Sequence, residues 1–295
     1  MNKLSLERRC QIVAALVEGV SIRATCRLTG CSKNTVLKLL VELGKVCKDY
    51  QDQTLVNLKT RIIQCDEIWA FIGCKAKNVP EHLRGTVGIG DVWTWTGIDA
   101  ESKLILAWRV GSRDLEDAKA FIRDVERRLL HRIQLTTDGH RPYLEAVAES
   151  FGIWIDYAML IKMFGKKEKT ENRKYSPSAC KDILKLRISG RPKMKDVSTS
   201  YVERQNLTMR MSMRRFTRLT NAFSRKLENH EAAVAIHFMY YNFARIHQTL
   251  RVTPAMEAGI ADHPWSICDI LMLLDQSRIA PKCPKQICQD PPNSN

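Results

Sequence analysis

The strongest constraint on the fold is the order of the sequence patterns between residues 61 and 157. Three segments alternate apolar and polar residues as β-strands do, namely 61–72, 88–98 and 104–110. Patterns for a helix, a strand, a second helix and a last strand follow at 115–130, 132–137, 143–151 and 153–157. Three strands that can form a meander, followed by strand–helix–strand crossovers, predict an α/β fold with a mixed sheet flanked by helices.

The first 46 residues have a different pattern and predict a separate all-α unit. Apolar residues at helical spacing run from Leu6 to Val17, and Ser21 and Ser32 can cap two further helices over 22–29 and 33–43. A tight turn around Gly30 between these two helices is typical of a helix-turn-helix. A three-helix packing unit that binds no ligand is the alternative.

In a helix-turn-helix, the first residues of the last helix reach base edges in the major groove. The residues at that position here are Lys33, Asn34, Thr35 and Lys38. Asparagine can read adenine, and lysine can contact guanine or phosphate. We therefore predict a DNA-binding domain over 1–46, followed by a polar linker over 47–60.

Positive charge is concentrated in one part of the chain. Of the net charge of +15, residues 162–226 carry +14 and residues 1–50 carry +5, while 51–161 and 227–295 carry −2 each. Such a concentration indicates a polyanionic partner, with nucleic acid first, and a solvated charge-rich insertion is the alternative. We predict an irregular insertion or a DNA-ordered loop at 162–196, helices over about 200–215 and 231–245, and a loose tail over 276–295.

Composition narrows the cellular setting. The sequence is 44% hydrophobic and 27% charged, without an apolar run of about 18 residues or an N-terminal apolar signal segment, so no membrane partner is expected. Its ten cysteines form no Cys-x-x-Cys pair, which predicts reduced thiols in the cytoplasm. A zinc site at Cys26 and Cys31 is a weak alternative, because no histidine pair follows.

Three acidic residues occupy positions that suggest a metal site. Asp66 lies within the first strand, Asp138 follows the fourth strand, and Glu203 lies one turn into a helix. If the two strands are neighbours and the helix crosses their ends, the carboxylates converge and would select Mg²⁺, with Mn²⁺ as a substitute. Two such ions could serve phosphodiester chemistry. Alternation along the strand points Glu67 to the opposite face from Asp66, so only one of the two is expected in the cluster.

The helix that carries Glu203 adds groups suited to phosphate. Asn206 and Arg210 follow three and seven residues later and share its face. Arg214, Arg215 and Arg218 extend the positive surface.

These motifs together resemble the DDE transposases of bacterial insertion sequences, specifically the insertion-sequence-one family, over nearly the whole chain. The matching stretches are 66–73, Thr137-Asp138-Gly139 with Tyr143, 201–207, and the helix-turn-helix segment 19–40. Many relatives carry a Cys-rich zinc finger that this sequence lacks, which leaves end recognition to the helix-turn-helix and the basic residues.

The resemblance implies an RNase-H-like catalytic domain over 61–260 and a C-terminal helix and tail over 261–295. It implies that Asp66, Asp138 and Glu203 are the catalytic acids, and that Arg210 matches the family's basic residue seven positions after the last acid. The expected partners are the element's terminal inverted repeats and target DNA, bound by a homodimer or larger synaptic assembly associated with the bacterial nucleoid.

Other interpretations remain open at this point. Glu171 or Asp182 could be the third acid, although neither is followed by the asparagine and arginine. Tyr241, Arg245 and His247 suggest a tyrosine recombinase, but they fit an apolar helix end better. A non-catalytic DNA-binding regulator or a decayed transposase is the alternative from a different functional class.

Overall fold

A six-stranded mixed sheet lies at the centre of the computed structural model, which describes residues 4–86, 88–165, 180–217 and 219–279. The strands, β1 to β6 in chain order, are Ile62–Ile72, Gly90–Asp99, Ile105–Gly111, Ile133–Thr137, Ile155–Phe164 and Cys180–Ser189. Their spatial order is β3-β2-β1-β4-β5-β6. The pairs β1–β4 and β4–β5 are parallel and the other three pairs are antiparallel. The predicted mixed α/β sheet is therefore confirmed.

Strand β1 is central and carries the register that positions the candidate site. Ile63, Cys65 and Ile68 are fully buried, because helices cover both faces of the sheet at this strand. Asp66 lies opposite Thr96 of β2, and Cys65 lies opposite Thr137 of β4. The last paired residue of β4 is thus beside the middle of β1.

Helices α4 (Leu115–Arg127) and α5 (Pro142–Phe151) pack together on one face of the sheet. The side chain of Asp114 caps α4 by accepting from the backbone N–H of Asp117, and α5 begins with a proline, which needs no N–H donor there. Phe121 of α4 is fully buried and lies close to Gly97 of β2.

The opposite face is covered by α6 (Ser200–Ser212) and α7 (Leu227–Met239). The Gln64 side-chain carbonyl accepts from the backbone N–H of Tyr201 and of Val202, so the first turn of α6 is fixed directly to β1. A π-helical turn, Tyr240–Ala244, extends α7, and its buried Asn242 bonds both the N–H and the C=O of Ile105. An amide side chain thereby satisfies the backbone groups of Ile105, the first residue of β3, on the edge that pairs with no strand in the described part of the sheet.

Helices α1 (Leu6–Val17), α2 (Ile22–Thr29) and α3 (Lys33–Thr54) form the N-terminal part of the fold. Ser21 and Ser32 cap α2 and α3 as predicted. The expected end of the third helix at residue 43 is wrong, and the segment predicted as a linker is helical up to Thr54. The reason is tertiary: Cys47 and Gln51 are buried, and Gln51 donates to the Ala235 carbonyl of α7.

Two short C-terminal helices complete the fold, α8 (Pro254–Glu257) and α9 (Ile267–Ile279). Ion pairs Arg9–Asp275 and Arg278–Glu42 join α9 to α1 and α3. Residues 276–279 are therefore helical rather than part of the expected loose tail, and residues 280–295 lie outside the described part.

The expectation of an irregular segment at 162–196 is wrong for two stretches. Strand β5 continues to Phe164, and β6 pairs with it in antiparallel fashion; residues 166–179 are outside the described part. Charged Lys181, Lys185 and Arg187 alternate poorly with apolar residues, and an edge strand with little burial tolerates that pattern.

No helix among the described residues is long and apolar enough to cross a bilayer.

Gly44 tests the packing of α3 on α7. A methyl group at this position would lie 2.5 Å from the Cα of Ala232. Helix propensity alone favours Gly44→Ala by about 1 kcal/mol. We expect net destabilisation of about 1–3 kcal/mol instead, because the added atom overpacks against backbone. Urea unfolding measures the change. Lys45→Ala, at the exposed neighbouring position, is the control; a Gly44→Ala variant as stable as the parent would contradict the close approach.

Candidate active site

Three carboxylates converge where β4 ends beside β1. Asp66 lies in the middle of β1, and Asp138 directly follows Thr137, the last residue of β4. Asp66, Glu67 and Asp138 each offer one oxygen atom, and these atoms all lie within 4.8 Å of one another. Asp66 and Asp138 thus lie close together as predicted, and a third acid, Glu67, lies beside them.

The expectation that only one of Asp66 and Glu67 could join the cluster is wrong. The two side chains do leave β1 on opposite faces: Asp66 contacts α6 and Glu67 contacts α5. Asp138, however, stands beyond the last paired residue of β4 and no longer belongs to either face. Its carboxylate lies at the carboxyl end of β4, close to the carboxylates of both Asp66 and Glu67.

Asp66 is held by two hydrogen bonds and destabilised by its surroundings. Its Oδ2 accepts from Asn206 Nδ2 at 2.8 Å, and its Oδ1 accepts from the backbone N–H of Glu67 at 2.9 Å. Burial raises the pKa of Asp66 to about 8, with further contributions from the charges of Glu67, Asp138 and Glu203. The ionised carboxylate therefore lacks sufficient positive charge within the protein itself.

Glu67 also has two hydrogen-bond partners, one of which is a cation. Arg113 Nε donates to its Oε1 at 2.5 Å, and the Tyr143 hydroxyl donates to its Oε2 at 3.1 Å. Burial and the charge of Asp138 nevertheless raise the pKa of Glu67 to about 7, against the lowering effect of Arg113. Arg113 stacks on the Trp93 ring at 4.7 Å and lies 3.8 Å from Asp138, so it serves two of the three acids.

The turn after β4 fixes Asp138. Its Oδ1 accepts from the backbone N–H of His140 at 3.0 Å, which closes the loop into an Asx turn. The His140 ring packs against Trp95 and Tyr143, and burial together with Arg113 lowers the pKa of this histidine. The surroundings of this histidine therefore favour its neutral form.

Glu203 is near the cluster but has its own cation. Both of its carboxylate oxygens accept from Lys162 Nζ of β5, and Oε1 also accepts from Thr199 Oγ1. Its charge contributes to the raised pKa of Asp66, yet it is outside the group of oxygens within 4.8 Å. The structure thus pairs Glu203 with Lys162 and places Glu67, rather than Glu203, within 4.8 Å of Asp66 and Asp138.

The residues predicted to contact bases lie at the start of α3. Lys33, Asn34 and Lys38 are exposed, whereas Thr35 is half-buried and bonded to Ser32. These side chains are therefore accessible from one helix terminus.

The predicted phosphate-binding residues take different positions. Asn206 is buried against Asp66, and Arg210 is half-buried in the last turn of α6. Arg214 is exposed, while Arg215 donates to Ser224 Oγ and the Asn229 carbonyl; burial lowers its pKa to about 10. Arg218 lies outside the described residues.

Sequence reasoning did not single out Glu67, Arg113 or Lys162. Arg113 directly follows the Gly111-Ser112 end of β3, two strands from Asp66, and no local pattern distinguishes it from other loop arginines. Lys162 was counted only within the basic segment. The sequence signal for Glu67 was present as the doublet Asp66-Glu67 but was set aside by the alternation rule.

The donor set fits a hard divalent cation. Three carboxylates supply only oxygen ligands, which Mg²⁺ and Mn²⁺ prefer. Burial, and after it the charges of neighbouring carboxylates, raises the pKa of Asp66 and of Glu67, and a bound cation would offset both effects. In addition, Asn206 Oδ1 is buried beside the cluster without a hydrogen-bond partner in the described part of the chain. Asp66, Glu67 and Asp138 are therefore the residues that could hold a metal.

Comparisons with known proteins give only distant likenesses. The chain matches no protein-family model and none of the curated proteins. A piggyBac transposase synaptic complex with hairpin DNA aligns at 10% identity and a TM-score of 0.45, over 95% of this chain and 73% of that one. The Mos1 strand transfer complex aligns at 10% identity and a TM-score of 0.23, over 80% and 78%. Because neither reaches a TM-score of 0.5, neither assigns a function to this chain.

The cluster makes a prediction about stability and pH. The folded pKa of Asp66 lies above its unfolded value, so its contribution is present below pH 4 and is lost as pH rises toward 8. We expect Asp66→Asn to be more stable than the parent at pH 8 in a chelator-containing buffer. The advantage should grow by up to about 1.4 kcal/mol per pH unit and vanish near pH 4.

Thermal and urea unfolding between pH 4 and pH 9 measure this difference. Asp182→Asn, at an exposed carboxylate on β6, is the control and should follow the parent. Equal stability of Asp66→Asn and the parent at pH 8 would show that burial and the neighbouring carboxylates do not raise the pKa of Asp66.

Proposed function

We propose that this chain is a metal-dependent DNA transposase that cuts and rejoins phosphodiester bonds. The observation that carries the proposal is the convergence of Asp66, Glu67 and Asp138 at the end of β4, where their oxygens lie within 4.8 Å of one another. Such a cluster in a buried sheet is costly unless it binds cations, and hard cations on carboxylates are the usual catalysts of phosphodiester transfer. The basic surfaces on the same chain fit a DNA substrate.

The sheet supports an RNase-H-like core. Three antiparallel strands at one side and two strands parallel to β1 at the other give the order β3-β2-β1-β4-β5, to which β6 adds an edge. Acids in the middle of β1 and directly after β4 occupy neighbouring positions in this arrangement. We retain Asp66, Asp138 and Glu203 as the proposed catalytic acids and add Glu67 as a further metal ligand.

The side chains of the site divide the work. Asp66, Glu67 and Asp138 would hold Mg²⁺ or Mn²⁺, which supplies charge that activates the attacking oxygen and stabilises the leaving one. Asn206 orients Asp66 through its amide N–H, and Arg113 orients Glu67. Glu203 would serve a second ion, for which Lys162 must release its carboxylate.

The proposed reaction has two balanced steps. In the first, a water oxygen forms a bond to phosphorus at an element end while the bond to the 3′ oxygen breaks, leaving a 5′-phosphate and a 3′-hydroxyl. In the second, this 3′-hydroxyl attacks a target phosphodiester and displaces the target's own 3′ oxygen. Each step exchanges one P–O bond for another, so no further energy source is needed.

DNA recognition is proposed for the N-terminal helices. Lys33, Asn34 and Lys38 are exposed at the start of α3, as a helix that reads the major groove requires. We place the chain near the bacterial insertion-sequence-one family, acting in the cytoplasm on terminal inverted repeats and target DNA. Because two ends must be joined, we propose a homodimer or larger assembly.

Two alternatives are weaker. A tyrosine recombinase needs an accessible nucleophile, but Tyr241 is 7% exposed and its hydroxyl donates to the Lys103 carbonyl. A non-catalytic DNA-binding regulator has no use for a strained carboxylate cluster. Covalent protein–DNA adducts would support the recombinase, and metal-independent DNA binding without cleavage would support the regulator.

Amide substitutions test the catalytic proposal. We expect Asp66→Asn and Asp138→Asn each to lower cleavage at least about 10³-fold while DNA affinity stays within about twofold, because catalysis and not binding depends on the metal ligands. The substrate is duplex DNA carrying the sequences that flank the gene, with Mg²⁺ or Mn²⁺. Parental cleavage by either variant would contradict the site.

A matched pair of substitutions separates the two candidates for the third acid. Glu67→Gln and Glu203→Gln remove one charge each and preserve side-chain size. Because both acids are proposed to hold metal, we expect each variant to lower cleavage at least about 10³-fold, as Asp66→Asn does. If Glu67 alone completes the site, Glu203→Gln should retain parental cleavage and only Glu67→Gln should be inactive.

A further inference from the structure

A second charged feature lies away from the carboxylates, between the N-terminal helices and residues 213–229. It is a cleft of about 950 Å³. One wall consists of the end of α1, α2 and the start of α3. The other consists of residues 213–215 and 219–225, and α7 forms the floor. Nothing in the catalytic proposal accounts for this cleft.

The lining of this cleft has one sign of charge. Among the described residues, the lining includes six basic side chains and no aspartate or glutamate: Arg23, Arg27, Lys33, Arg214, Arg215 and Arg225. Five of them are exposed, and Arg215 is bonded within the protein. None of the five forms an ion pair with a residue in the described ranges.

Several arginines elsewhere in the described part of the chain are paired with acids and others, such as Arg84 and Arg204, are not, so what distinguishes the cleft is that five unpaired basic side chains share one lining. Arg9 pairs with Asp275, Arg128 with Asp52 and Asp124, and Arg132 with Asp156. Cations gathered without counter-charges repel one another, and the repulsion is relieved when a polyanion binds. The positive charge of the cleft therefore suits an anionic ligand, since the described residues provide no acids there to pair with it.

The floor offers a second observation. His237 lines the cleft, is 4% exposed, and neither ring nitrogen has a hydrogen-bond partner in the described part of the chain. A neutral imidazole carries one N–H donor, and a buried donor without an acceptor costs free energy. A phosphate oxygen in the cleft would supply that acceptor. Asn221 and Asn229 add amide groups to the lining.

We propose that this cleft binds one phosphate backbone of the DNA duplex whose bases are contacted from the start of α3. Lys33 belongs both to the cleft and to the predicted base-reading residues, so the two contacts are continuous. Basic side chains of the N-terminal helices and of the opposite wall of the cleft then contact the phosphates of the same DNA strand from two sides. The inference rests on the proposed function for the identity of the ligand as DNA.

Salt dependence of DNA binding tests the inference directly. Each phosphate contact contributes about 0.9 to the slope of log K against log salt, so the double variant Arg23→Ala/Arg225→Ala should lose roughly 1.8 of that slope. At about 0.1 M salt its affinity for a flank-derived duplex should fall roughly tenfold to a hundredfold. Lys59→Ala/Arg84→Ala, at two exposed positions outside the cleft, should bind like the parent.

The outcomes separate this inference from the catalytic one. Unchanged slope and affinity in the cleft variant, with an unchanged melting temperature, would overturn the cleft as a backbone site. Equal loss in the control variant would also overturn it, because the effect would then be bulk charge. Equal binding of an RNA duplex with the same sequence would overturn the assignment to DNA. Cleavage by Asp66→Asn would refute the catalytic proposal and leave the cleft result standing.

Discussion

The burial of Asp66 and Glu67 beside Asp138, together with the repulsion among the three carboxylates, is the constraint on which the rest of the site depends. Burial alone opposes ionisation of Asp66, and two neighbouring carboxylates add to that effect. Arg113 and the Tyr143 hydroxyl stabilise Glu67, and Asn206 stabilises Asp66. Helices α5 and α6 are therefore positioned by polar bonds to opposite faces of one strand as well as by apolar packing. A sheet held in this register keeps acids together that would separate in an unfolded chain.

Much of the fold could be predicted because its elements carry local patterns. The strands β1 to β4 and the helices α4 and α5 lie close to the predicted ranges, since alternation and capping are properties of short segments. The continuation of α3 past Gly44 and the pairing of β6 could not be predicted in this way. The first depends on contact with Ala232 of α7, and the second on hydrogen bonding to β5 by a strand rich in lysine. Both are decided by distant parts of the chain.

The site was predictable to the level of two acids. Asp66 and Asp138 were identified from their places in or after strands, and the parallel pairing of β1 with β4 brings them together. The exclusion of Glu67 was wrong because alternation describes side chains within a paired strand, whereas Asp138 follows the last paired residue of β4. Lys162 and Arg113 could not be predicted for a different reason. Each forms an ion pair with an acid that is far away in the sequence, Lys162 with Glu203 and Arg113 with Glu67. Long-range ion pairs leave no periodic signal.

In the structure, the basic residues fall into two groups: some neutralise acids of the protein, and others line the cleft. Within the basic segment 162–226, Lys162 neutralises Glu203, while Arg214 and Arg225 line the cleft without an acidic partner there. Basic residues of α2 and of the start of α3, which belong to the smaller N-terminal excess, complete the same lining. Charge that is separated by almost two hundred residues of sequence thus acts on one volume of space. A polyanion would therefore bind this cleft only in the folded protein, because no single segment of the chain supplies both walls.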